Sequence, residues 1–157
     1  MTTVARDVMH RDLTAVMEDD LVHEAVRVLY NHNISGVPVL DGDWKLVGYL
    51  TESDILQSAV PTYLEVLAKS TFLEEDENGL LARFKSFGNR PVRDFMNDKP
   101  LSVEPDTSLM VISDLMIRKH VKRLPVVEDG RLVGIISREA FCEFLMRESG
   151  SRDEAGD

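Results

Sequence analysis

The sequence predicts an α/β (α+β) protein built from two β-α-β-β-α repeats packed sheet to sheet, with a helical insert between them. Three observations lead there. First, the chain repeats itself. Arg6-Asp7-Val8-Met9 returns as Arg93-Asp94-Phe95-Met96, and Gly36-Val37-Pro38-Val39-Leu40 as Arg123-Leu124-Pro125-Val126-Val127, each 87 positions later. Leu46-Val47-Gly48-Tyr49-Leu50-Thr51 returns as Leu132-Val133-Gly134-Ile135-Ile136-Ser137, 86 positions later. Fixed order with drift at the turns is what duplication leaves. Second, the apolar pattern inside each copy switches between helical and strand periods. Third, the chain has 157 residues, 43% hydrophobic and 29% charged, an ordinary soluble composition. A unit of about 55 residues buries too little alone, so two copies are expected to share one continuous core.

Each element can be justified in order. A short helical turn ends near Met9 and again near Met96, followed by short strands at Leu13–Val16 and Leu101–Val103. An amphipathic helix comes next in each copy. In the first, Asp19-Asp20 introduce Leu21, Ala25, Val28, Leu29 and His32 at helical spacing, and Asn33 is a left-handed C-cap. In the second, Thr107 or Ser108 caps a stripe of Leu109, Ile112, Leu115 and Met116. Leu21 and Leu109, like His32 and His120, align at an offset of 88. Hairpins follow. The first turns around Asp41-Gly42-Asp43, and the second shortens to Asp129-Gly130, a tight-turn pair. A last helix starts after Thr51 or Ser137. Between the copies, Tyr63, Leu64, Val66 and Leu67, then Leu80, Leu81, Phe84 and Phe87, predict two inserted helices. The acidic turn Glu74–Gly79 joins them, and the tail after Ser149 reads as disordered.

Charge and composition exclude several functions. Eighteen basic against 28 acidic residues give a net charge of −10. That balance opposes nucleic acid and anionic membrane surfaces, which attract basic proteins. No apolar run approaches a membrane span of roughly 18 residues, and the N-terminus lacks a signal-peptide core. Cys142 is the only cysteine, so no intramolecular disulfide forms, and a reducing, cytoplasmic setting is expected. His10, His23, His32 and His120 sit at no metal-ligand spacing. There is no Gly-rich phosphate loop and no nucleophile elbow. Cys142, within Ala140–Phe144, reads as an inert core thiol rather than a nucleophile. No metal is required and no catalysis is expected.

The hydrophobic-Pro-Val strand and the Leu-Val-Gly-h-h-Thr/Ser strand, each present twice, resemble a tandem pair of CBS domains, the arrangement called a Bateman module. The resemblance covers Val4–Ser58 and Val92–Arg147. It implies a first repeat at 1–58, a helical insert at 59–91, a second repeat at 92–148 and a tail at 149–157. It also implies a regulatory, ligand-sensing module that binds an adenine nucleotide (AMP, ADP or ATP-like) in a cleft between repeats and pairs into a homodimer. The alternative is a structural or partner-binding module with empty clefts.

The implied nucleotide-binding residues are Thr14, Ser35, Gly36, Val37, Pro38, Thr51, Asp54 and Arg123. In Thr51-Glu52-Ser53-Asp54 two readings stand: a helix capping box, or Asp54 on the ribose hydroxyls with Thr51 near the first phosphate. Ser35-Gly36-Val37-Pro38 supplies the adenine slot, with Val37 as an apolar wall, unless Gly36 merely relieves strain. Thr14 is a contact or ordinary strand residue. Arg123 is a phosphate contact, with Lys122 and Arg138 as lesser candidates, or part of a solvated helix end in the basic run Arg118–Arg123. The second copy keeps the hydroxyl at Ser137 but places Ala140 where the aspartate belongs, so its cleft lacks a ribose acceptor.

Overall fold

The computed structural model of the chain describes residues 2–59 and 77–155. In order these form α1 (Ala5–Val8), β1 (Val16–Met17), α2 (Val22–Asn31), β2 (Gly36–Leu40), β3 (Leu46–Thr51), α3 (Glu52–Ala59) and α4 (Glu77–Gly88). A 3-10 turn at Val92–Asp94 leads to α5 (Leu109–Arg118), β4 (Arg123–Glu128), β5 (Arg131–Ser137) and α6 (Arg138–Ala155). β1, β2 and β3 make one sheet in that order, with β1 parallel to β2 at Val16↔Val39 and Met17↔Leu40. β4 and β5 pair antiparallel.

Two compact units result, and each mixes the copies. One joins residues 1–14 and 43–46 to 101–157, and the other joins 15–42 to 47–100. The segment leading into each repeat therefore packs with the body of the other repeat. Backbone bonds fix it: Ala5 N–H donates to Thr107 O (2.9 Å) and Arg6 N–H to Pro105 O (2.8 Å). The counterparts are Val92 N–H to Asp20 O (2.8 Å) and Arg93 N–H to Glu18 O (3.1 Å). Helix α1 has four residues, too few to nucleate alone, and tertiary docking must hold it. Val4 N–H donates to Asp7 Oδ2 (2.8 Å), completing its first turn.

The motif glycines explain this docking. A Cβ on Gly48 would meet Met96 Sδ and come within 2.9 Å of its Cγ, and one on Gly134 would meet Met9 Sδ and come within 2.8 Å of its Cγ. Each methionine of the repeated Arg-Asp-h-Met sequence thus seats on the glycine of the opposite copy's Leu-Val-Gly strand. Alongside, Asn97 and Tyr49 exchange backbone bonds (3.0 and 2.9 Å), as do His10 and Ile135 (2.7 and 3.0 Å).

Each unit holds a cluster of buried residues. Val22, Leu29, Val37, Leu50, Ile55, Val92 and Phe95 belong to one; Ala5, Val8, Ile112, Met116, Leu124, Ile136 and Phe141 belong to the other. Because the leading segments are exchanged, each sheet finds its cover locally.

Several expectations are corrected. The first strand forms at Val16–Met17 rather than Leu13–Val16, so Thr14 precedes it. Its second-copy counterpart is a single parallel bridge, Val103 to Val126. α2 and α5 begin 87 positions apart, and the left-handed residues after them are Asn33 and His120, both at φ 53°. The offset of 88 for Leu21 and His32 was coincidental. In the first hairpin, expected to turn around Asp41-Gly42-Asp43, Trp44 takes a positive φ (65°), and residues 43–46 pair with the second hairpin through Leu46 N–H to Gly130 O (3.0 Å). The Asp129-Gly130 turn forms as expected, both residues at positive φ.

Of the two inserted helices, the one around Tyr63–Leu67 lies outside the described residues. The other is α4, which begins at Glu77 and so takes in the end of the expected acidic turn. Phe84 and Phe87 pack on the core beside Phe95, with Phe87 edge-on to Phe95 at 5.1 Å. Helix α6 continues to Ala155, past Ser149 where a disordered tail was expected. Cys142 is exposed rather than in the core, because one step along the helix turns it about 100° from buried Phe141.

Candidate functional site

The best-formed polar group lies where β3 passes into α3. Thr51 N–H donates to Asp54 Oδ2 (3.0 Å), and Asp54 N–H donates to Thr51 Oγ1 (3.1 Å). This is a reciprocal capping box, closed because a hydroxyl and a carboxylate three residues apart satisfy each other's backbone donors. The box leaves two groups unused. Among the described residues Asp54 Oδ1 accepts no hydrogen bond and the Thr51 hydroxyl donates none. Both side chains are half-buried. Capping and ligand contact therefore draw on different atoms and do not exclude one another.

The neighbouring strand completes the group. Glu52 N–H donates to Ser35 O (3.0 Å), tying Ser35-Gly36 to the start of α3. Gly36 lies under the Tyr49 ring: a Cβ there would stand 2.6 Å from Tyr49 Cε1 and 3.1 Å from Thr51 Cγ2. Alternation along β3 puts Tyr49 and Thr51 on one face and Leu50 in the core on the other.

The same unit thus brings together Ser35, Gly36, Thr51 and Asp54. Val37 belongs to it but not as a wall: its side chain is 0% exposed within the core, because strand alternation turns it away from Gly36. Pro38 is likewise fully buried. Thr14 and Arg123 belong to the other unit. Thr14 Oγ1 donates to Asp12 Oδ1 at 3.2 Å. The residue that sequence reasoning missed is Tyr49. Its signal was present, since it lies two positions before Thr51 and must share its face.

The second copy repeats the frame with different chemistry. Arg138 N–H donates to Lys122 O (2.8 Å), and Ala140 N–H donates to Ser137 Oγ (3.3 Å). No carboxylate returns the bond. Arg123, in the place of Gly36, is paired across the ladder with Ser137. No cluster of His, Cys, Asp and Glu suited to a metal ion occurs among the described residues, and no described helix is long and apolar enough to cross a membrane.

Comparison with known proteins follows the same division. An uncharacterized protein of Methanocaldococcus jannaschii is 33% identical over 154 residues, spanning 90% of each chain. CBS domain-containing protein CBSX2 of Arabidopsis thaliana, described as chloroplastic, is 32% identical over 136 residues, 82% of this chain but 56% of its own length. A solved structure of CBSX2 in complex with AMP superposes with a TM-score of 0.70 at 26% identity, covering 93% of this chain and 98% of that one. Inosine-5'-monophosphate dehydrogenase of M. jannaschii is matched over 25% of its length. The CBS domain pattern itself fits residues 5–60 and again 92–147, the two copies found by internal repetition. The chain belongs to the CBS domain family and carries two such domains in tandem.

Proposed function

We propose that the chain is a cytosolic regulatory module, without catalysis of its own, that senses an adenine nucleotide of the AMP, ADP or ATP kind. The observation that carries this reading is the Thr51–Asp54 pair, with a carboxylate oxygen and a hydroxyl proton left over beside a Cβ-free Gly36. Asp54 Oδ1 accepts from the ribose hydroxyls, Thr51 donates to the first phosphate, and the base lies along Ser35-Gly36 against Tyr49. The AMP complex of CBSX2 supports the ligand class. Ligand binding then favours one of two arrangements of the chain and alters its hold on a protein target. Exposed Tyr30, Met110 and Ile117 on α2 and α5 support working as a homodimer.

The closed capping box favours a second reading, a structural or partner-binding module in which Asp54 serves α3 alone. Calorimetric titration of AMP and adenosine into the wild type and Asp54→Ala separates them. Saturable binding that the variant weakens supports the sensor. Absence of binding to either compound favours the structural module.

A further inference from the structure

The repeated Arg-Asp-h-Met sequence seats a thioether on bare backbone twice, Met96 on Gly48 and Met9 on Gly134. Both methionines are half-buried, whereas Met116 is enclosed in the core and Met110 and Met146 stand on the surface. A sulfur in that middle position is within reach of a small oxidant and still bears on the fold when it changes. The Met96 seat is the stricter in its chemistry. The space beside Gly48 holds Met96 Sδ and Cγ and is bordered by the Asn97 carbonyl oxygen. The N–H groups alongside are spent: Tyr49 N–H donates to Asn97 O (3.0 Å), Asn97 N–H to Tyr49 O (2.9 Å) and Met96 N–H to Val92 O (3.1 Å). A thioether suits such a place, being apolar and only a weak acceptor. A sulfoxide does not. Its oxygen is a strong acceptor that meets another acceptor and none of these donors, and it adds bulk where even a methyl group has no room.

Met96 adjoins the bonds that hold Tyr49 in place. Asn97, the next residue, exchanges both backbone bonds with Tyr49, whose ring covers Gly36 and shares a face with Thr51. The start of the same segment is bonded independently, Val92 to Asp20 and Arg93 to Glu18. A change at Met96 is therefore felt at the Met96-Asn97 end and in Tyr49. The twin seat differs at this point: Met9 adjoins the bonds between His10 and Ile135, and Ile135 is buried and carries no ring to set over a ligand.

We propose that Met96 is a site of reversible oxidation by peroxide, and that its sulfoxide releases Met96-Asn97 from β3 and, through Tyr49, slackens the nucleotide site. The effect on the nucleotide rests on the proposed sensing role; the release does not. A sulfur lone pair attacks hydrogen peroxide, an S–O bond forms and the O–O bond breaks. The displaced hydroxide takes the proton from the sulfur-bound oxygen and leaves as water, so the sulfur loses the two electrons that the peroxide gains. Return to the thioether is the work of a methionine sulfoxide reductase: two thiols become a disulfide and the sulfoxide oxygen leaves as water.

Hydrogen peroxide treatment of the wild type, Met96→Leu and Met9→Leu tests this, with sulfoxide at each methionine followed by peptide mass spectrometry and amide hydrogen exchange read at Tyr49 and Asn97. Leucine is close to methionine in volume and does not oxidise, so both variants are expected to fold. Exchange at the two amides should rise about 10- to 100-fold in the oxidised wild type and in oxidised Met9→Leu, the scale of an overpacking loss. It should keep its untreated rate in Met96→Leu, and methionine sulfoxide reductase should restore that rate in the wild type. AMP affinity of the same samples should fall severalfold only where Met96 is oxidised. Met96 that stays reduced while Met110 and Met146 are fully oxidised overturns the proposal, as does equal exchange before and after its oxidation. An equal rise in Met96→Leu does so too, since Cys142 or another methionine would then be the cause. Opening of both amides with AMP bound as tightly as before overturns the link to the site. An untreated chain that binds no AMP refutes the sensing role and that link with it, while raised exchange on oxidation of Met96 still upholds the release.

Discussion

The two carboxylate oxygens of Asp54 stand in different surroundings. Oδ2 closes the capping box with Thr51, and Oδ1 accepts no hydrogen bond among the described residues. Asp54→Ala should therefore lower AMP affinity about 10- to 100-fold, the worth of a hydrogen bond to a charged group. The lost cap should cost only about 1 kcal/mol of stability. Calorimetry and denaturant unfolding on the same variant read the two effects separately, and a stability loss without an affinity loss would leave Asp54 a cap only. Tyr49 offers a second test at this scale. Replacing it by the second copy's residue, Tyr49→Ile, removes the aromatic face beside Gly36. Adenosine affinity should fall severalfold, in keeping with about 0.5–1.5 kcal/mol for an aromatic pair. Equal affinity would place the base elsewhere.

Among the elements, the exchanged leading segments depend on two glycine seats. Gly48→Ala forces a methyl group into Met96 Sδ and to 3.0 Å from the backbone carbonyl of Asn97, and the backbone cannot yield as a side-chain tip can. Overpacking of this kind costs about 1–3 kcal/mol. Urea unfolding should show that loss, and an unaltered midpoint would mean the leading segment is not held by this seat. Helix α4 is secured in another way: Phe84 and Phe87 pack on the core, and Arg83 Nη1 donates to Ala59 O (3.3 Å) at the end of α3. The far end of the helix that carries Asp54 in its first turn is thereby tied to the insert.

For the whole molecule, the two copies share a frame and differ in chemistry. Asp54 has no counterpart, since Ala140 stands at its place. One adenosine should bind per chain. Calorimetry giving two equivalent adenosine sites would show that the second copy binds adenosine without the carboxylate. The duplication thus yields two positions with the same backbone bonds, Ser35 O to Glu52 N–H and Lys122 O to Arg138 N–H, and different side chains, Gly36 and Asp54 in one and Arg123 and Ala140 in the other.

The sequence by itself determined the duplication, the order of elements, the Asp129-Gly130 turn and the Thr51–Asp54 box. Each is local: a periodicity, a turn pair or a three-residue spacing fixes it within one stretch of chain. It also marked Ala140 as a departure, which needed only an alignment of the chain with itself. The tertiary structure alone decided which copy's core each leading segment enters. Arg-Asp-h-Met reads identically whether it docks on its own repeat or the other, and only the seats at Gly48 and Gly134 reveal the partner. It likewise turned Val37 into the core, exposed Cys142 and set Tyr49 over Gly36. Those outcomes rest on which face of a strand or helix meets a neighbour, and that neighbour comes from a distant part of the chain. The same holds for Arg123. Its charge was plain in the sequence, but only the folded chain shows its Nε buried without a hydrogen-bond partner.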